Sequence, residues 1–105
     1  MANICTNQLY LSTKDKQSGN SLIESIIDLF YCSDVQPVES IDAFYCDMEF
    51  DSRWAFPKKE MEELTSKLPP GNDLYIRVLS CEFGCEYVGF NIYANGEWRD
   101  KFADR

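Results

Sequence analysis

From position 43 to 52 apolar and polar residues alternate without a break. Phe44, Cys46, Met48 and Phe50 take one parity, and Tyr45, Asp47, Glu49 and Asp51 the other. Successive side chains of a strand point to opposite faces, so this run fits a sheet that is covered on one side and bare on the other. Such a sheet needs neighbouring strands and helices over its apolar side. Residues 5–12 read as a second strand, with Leu9 and Leu11 alternating against Gln8 and Tyr10. Residues 73–81 and 86–94 read as two more, joined by the hairpin-length loop 82–85 with its Gly84.

The covering helices are written as two apolar stripes. Ser21 followed by Glu24 has the capping-box spacing, in which hydroxyl and carboxylate each satisfy an orphan amide at a helix start. A helix over 21–31 then places Leu22, Ile23, Ile26, Ile27, Leu29 and Phe30 toward a core, after a polar turn over 14–20. A loop runs through Pro37, with room for a short strand near 35–38. Pro57 suits the first turn of a second helix, whose stripe is Phe56, Met61, Leu64 and Leu68 and whose stop is Pro69-Pro70-Gly71. Asn95-Gly96 marks a tight turn, and the tail 97–105 reads equally as a short helix or a return strand. The expectation is one α+β domain over 1–105, a two-layer sandwich in which an antiparallel or mixed sheet of four to five strands carries both helices on one face.

Composition narrows the chemistry. The net charge is −8, and the stretch 20–52 alone holds eight carboxylates with no Lys or Arg. The start of the chain lacks a basic segment followed by an apolar run, and the apolar-rich stretch 22–32 is interrupted by Glu24 and Asp28, so secretion and membrane insertion are not expected. Five cysteines, an odd number at irregular spacing, fit a reducing cytoplasm better than a disulfide framework. Cys81 and Cys85 form a C-x3-C pair, but there is no second pair and no histidine, which argues against zinc and removes the Ser-His-Asp and Cys-His arrangements. No catalytic, metal or cofactor residue is assigned, and no cofactor is expected.

Three short blocks resemble a known family. Met1-Ala2-Asn3 followed by Cys5, Asn7 and Leu9 is similar to the opening of the plasmid- and phage-borne YubB-type ferredoxin-like domain. The run from Phe50 through Trp54 to Pro57 resembles that family's aromatic strand leading into a helix, and 82–89 with Phe90, Tyr93 and Gly96 its closing hairpin. The chain departs from the pattern at Ile4, where Trp is expected, at Thr13, where Gly is usual, and in a compressed segment over 33–41. The resemblance implies a ferredoxin-like sandwich encoded by a mobile element. It supplies no functional residues, because the family has no established activity.

Strand parity selects the candidate surface. If Phe44, Cys46, Met48 and Phe50 face the helices, Tyr45, Asp47, Glu49 and Asp51 face away; the same rule sends Tyr10, Tyr75, Arg77, Tyr87, Asn91 and Tyr93 outward, against Val88, Phe90 and Ile92 inward. Five of the six tyrosines then share one face. A Tyr-rich patterned surface suits a protein partner, since Tyr offers area with few rotors to freeze. The acidic row favours a basic partner and opposes direct nucleic-acid binding, whose aromatic platforms are ringed by Lys and Arg. The expected function is a non-enzymatic protein-binding module, an inhibitor or acidic nucleic-acid mimic, with self-association as a compatible possibility. The alternative is an enzyme or metal-dependent domain built on Asp47, Glu49 and Asp51.

Overall fold

A computed structural model describes residues 4–69, 71–82, 84 and 86–102. The element order is β1 (Ile4–Thr13), α1 (Lys16–Leu29), β2 (Tyr31–Glu39), β3 (Phe44–Arg53), α2 (Lys58–Ser66), β4 (Tyr75–Glu82), β5 (Tyr87–Ala94) and β6 (Glu97–Asp100). The strands form one antiparallel sheet in the order β2-β3-β1-β4-β5-β6, six where four to five were expected. Each crossover, β1-α1-β2 and β3-α2-β4, joins strands running the same way with one strand between them.

Both added strands have local causes. β2 occupies the loop stretch in which room was left for a short strand near 35–38, and it is longer than that; it pairs with β3 on the outer edge, where a proline such as Pro37 is tolerated, and a register shift between Ser33 and Gln36 disrupts the rim. Asp34 sits there in the left-handed region at φ 51°. At the other edge Asn95 and Gly96 both have positive φ, 54° and 81°, which makes the two-residue turn that returns the tail as β6. Trp98 and the strand around it therefore lie flat against the sheet rather than in a helix.

α1 starts five residues before the expected capping box. Asp15 is its N-cap, accepting from the backbone N–H of Gln17 and Ser18 at 3.1 and 3.3 Å. Gly19 in its first turns allows a close approach to the sheet: a Cβ there would stand 2.5 Å from the ring of Phe44, which is fully buried. Leu22, Ile23 and Ile26 of α1 and Met61 of α2 meet Leu9, Leu11, Phe44, Met48, Phe50, Ile76 and Val78 of the sheet in one continuous core. Phe56, Leu64, Leu68 and Trp98 pack around it, and Trp98 Nε1–H donates to Thr65 Oγ1 at 3.0 Å, tying β6 to α2.

The inner face turns polar at one end of the central strands. Asn7, fully buried, donates through Nδ2 to Phe50 O at 3.1 Å and Ser52 Oγ at 2.9 Å, and its Oδ1 accepts from Ser80 Oγ at 2.6 Å. Ser52 Oγ in turn donates to Ala55 O at 2.7 Å, holding the exit of β3 where Trp54 takes a left-handed φ of 70°. At the opposite end, Thr13 Oγ1 and the Lys14 N–H donate to the two oxygens of Asp73 at 2.8 and 2.9 Å. Burial pushes the Asp73 carboxyl up, but those donors and the Lys14 charge outweigh it and hold the group below the usual aspartate range.

Two outcomes follow from these contacts. Asn7→Ala strands the Ser80 hydroxyl and the Phe50 carbonyl and should lower unfolding stability by about 2–4 kcal/mol in denaturant titration. A depressed folded pKa contributes stability above the ordinary aspartate value near 3.9, and that contribution is lost as pH falls through it. Thermal melts between pH 6 and 2 should therefore drop less steeply in Asp73→Asn than in the parent chain.

Candidate functional site

Among the described residues nothing covers the second face of the sheet, and the register maps it in cross-strand rows. One row runs Asp47, Tyr10, Arg77, Ile92, Arg99 from β3 to β6; the next runs Glu49, Gln8, Leu79, Phe90; a third runs Asp51, Thr6, Cys81, Val88. The face thus has an acidic column on β3, a neutral polar column on β1 and an apolar column on β5. Between them lies a shallow hollow of about 290 Å³, bordered by Gln8, Tyr10, Asp47, Arg77, Leu79 and Phe90.

Tyr45, Asp47, Glu49 and Asp51 on β3 and Tyr75 and Arg77 on β4 stand on this face as parity requires, with Tyr10. Tyr87 and Tyr93 do not. Tyr93 is 4% exposed, packed against Trp98 with ring centroids 5.4 Å apart, and Asn91 is buried with it; Val88, Phe90 and Ile92 point outward instead. Tyr87 lies over Gly89, which leaves no room for a Cβ there, and its hydroxyl accepts from the Phe56 N–H at 3.4 Å. The cause is that the Tyr87 hydroxyl reaches the Phe56 N–H and the Tyr93 ring reaches Trp98 on the helix side. Aromatic packing holds the buried ring there, with Phe56, Trp98 and Tyr93 together. Gly89 is the legible signal, since a Gly two residues after a Tyr on one parity is the space a ring needs. The fourth tyrosine at the face is Tyr31, opposite Asp51 on the edge strand.

Arg77 does not neutralise the acidic row. Its guanidinium sits 4.4 Å above the Tyr10 ring, which also meets Tyr75 edge-on at 6.4 Å. Among the described residues the ion pair within 4 Å is Arg99–Glu97, so Asp47, Glu49 and Asp51 keep their charge toward solvent. Alternate positions on a strand hold them about 7 Å apart. No three His, Cys, Asp or Glu among the described residues approach closely enough to hold a metal ion.

A larger cleft, about 690 Å³, lies off this face between the end of α1 and the start of α2, walled by Leu29, Phe30 and Phe56 and edged by Arg53, Lys58 and Lys59. Asp51 and Glu60 also line it, and it holds no nucleophile–base pair. The thiols of Cys5, Cys32 and Cys46 are pushed up by burial, which makes them poor nucleophiles. Cys81 stands on the uncovered face, while Cys85 lies outside the described residues. No helix among the described residues is long and apolar enough to cross a membrane.

The two sets of tyrosines separate in a simple experiment. Tyr93→Ala should cost about 3–5 kcal/mol by opening the aromatic corner, whereas Tyr45→Ala, on the uncovered face, should change stability by less than about 1 kcal/mol in the same denaturant titration. No family model, no curated protein and no solved structure matches this chain.

Proposed function

We propose that this chain is a non-enzymatic, cytoplasmic protein-binding module that engages a basic partner through the acidic half of its uncovered sheet face, in the manner of an inhibitor or nucleic-acid mimic. The observation that carries the reading is the column Asp47, Glu49 and Asp51 beside Tyr45 and Tyr10, without an ion pair and on a sheet face without a covering helix among the described residues. A row of fixed carboxylates accelerates encounter with a positive surface, and the flanking tyrosines add contact area once water is displaced.

The strand order β2-β3-β1-β4 with its two crossovers supports a ferredoxin-like reading of the first four strands, to which β5 and β6 add a hairpin. The block Cys5, Asn7 and Leu9 behind the YubB-type resemblance has a physical role in that reading: Asn7 joins three strands and Leu9 enters the core. An origin on a plasmid or phage rests on that resemblance alone. The enzymatic or metal-dependent alternative at Asp47, Glu49 and Asp51 has no converging geometry among the described residues to favour it.

The test compares affinity capture from the natural host by three proteins: the parent chain, Asp47→Lys with Glu49→Lys, and a control, Glu24→Lys with Asp28→Lys on α1. The reading requires that one basic protein is retained by the parent and the control, is released by raising salt from about 0.1 to 0.5 M, and is lost from the β3 variant at unchanged melting temperature. Equal capture by all three rejects it.

A further inference from the structure

The cleft between the end of α1 and the start of α2 has the make-up of a small-molecule site. Its volume of about 690 Å³ falls within the range of about 300–1,000 Å³ that such sites occupy. Three of its apolar side chains stand open to water: Leu29 is 54% exposed, Ile4 53% and Tyr31 76%. Between two of them, Phe30 turns inward onto Phe50 at 4.9 Å between ring centroids, which anchors that wall to the core.

The opposite wall is fixed before anything binds. Trp54 takes its left-handed turn, Ser52 Oγ holds Ala55 O at 2.7 Å, and the Phe56 ring packs on Trp98 at 5.4 Å with its N–H on the Tyr87 hydroxyl. Ser52, a buried lining residue, also accepts from Asn7, and among the described residues no buried side-chain polar atom is left without a partner. The interior of the cleft therefore suits an apolar body whose polar end stays at the rim.

The rim selects the sign of that end. Arg53, Lys58 and Lys59 line the cleft, three of the chain's ten cations, and among the described residues none of them has a carboxylate within 4 Å. Asp51 and Glu60 line it too, so three positive charges stand against two negative ones, a net positive site in a chain of net charge −8. The same two carboxylates disfavour a doubly charged head such as a phosphate monoester.

We propose that this cleft binds a small amphipathic carboxylate, a fatty-acid-like anion. Its apolar body lies between Leu29, Phe30 and Phe56, and its head meets Arg53, Lys58 and Lys59. The Arg53 guanidinium takes a carboxylate through two parallel N–H···O bonds, and the lysines add point charge. The cations are exposed, so the affinity is modest, with a dissociation constant of about 10–100 μM. Asp47 and Glu49 lie outside the cleft, so this site and the protein-binding reading stand or fall separately.

Amide correlation spectra of the full chain, titrated to about 1 mM with sodium decanoate and in parallel with decylammonium, the same alkyl chain with the charge reversed, test it. The expected result is saturable decanoate shifts confined to residues 29–31 and 53–60, with decylammonium at least about tenfold weaker there. Lys58→Glu with Lys59→Glu should weaken decanoate at least about tenfold without lowering the melting temperature, since both positions are exposed and acidic residues suit the first turn of a helix. Asp47→Lys with Glu49→Lys should bind decanoate within about twofold of the parent. Absence of saturable shifts at 1 mM overturns the inference, as do equal binding of decylammonium, shifts centred on Val88 and Ile92, or decanoate binding that survives the Lys58/Lys59 change. A chain that floats with phosphatidylglycerol vesicles yet gives no shifts with decanoate assigns the rim to a membrane surface and overturns it as well.

Discussion

A single primary amide at the centre of the sheet fixes where every other strand can go. Asn7 is without access to water, so its two N–H donors and its carbonyl must be satisfied by protein. They are satisfied from both flanking strands at once, by Phe50 O and Ser52 Oγ on β3 and by Ser80 Oγ on β4. Sliding either neighbour by one residue would break those bonds and also rotate its apolar set out of the core, so polar and apolar forces specify one register. The constraint propagates outward: Ser52 holds Ala55, and the next residue, Phe56, donates its N–H to Tyr87. A chain of polar contacts thus runs from β1 through β3 and the entry of α2 to β5, and it sets which way β5 faces.

That last link shapes the functional surface. α2 has only nine residues and buries Met61 and Thr65, which leaves the corner above β5 and β6 without aliphatic cover. Tyr93, Trp98 and Phe56 fill it with rings, and Thr65 receives the indole N–H. Turning Tyr93 and Tyr87 inward completes that ring cluster and gives the Phe56 N–H its partner, which turning Val88, Phe90 and Ile92 inward would not do. The strand therefore turns its aliphatic side to solvent, and the face gains an apolar half opposite its acidic one.

Much of this was legible in the sequence, and the misses share one cause. β3 alternates perfectly, and its parity, with that of β1 and β4, transfers directly to the structure, carrying Tyr45, Asp47, Glu49, Asp51, Tyr75 and Arg77 to the uncovered face. β5 alternates between two classes that are both partly apolar, so parity alone does not say which side is in; only Gly89 distinguishes them. β2 was legible only as room for a short strand near 35–38, because an edge strand needs neither hydrophobic alternation nor continuous N–H donors, and Pro37 reads as loop. α1 begins early because Asp15 caps as well as Ser21 does, and Gly19, which lowers helix propensity, is retained for its contact with Phe44. In each case a tertiary neighbour outweighed the local signal.

The electrostatics of the face carry the last step. Arg77, two strands from the acidic column and free in reach to lean toward Asp47, is instead held over the Tyr10 ring. Unit charges about 7 Å apart in water repel by about 0.6 kcal/mol, and each of Glu49's neighbours adds such a term. The fold maintains this standing repulsion in a row where β propensity and stability alone would favour Thr or a charge of either sign. A rigid column of like charges, not paired by Arg77 and bordered by tyrosines, is relieved by positive charge brought from outside.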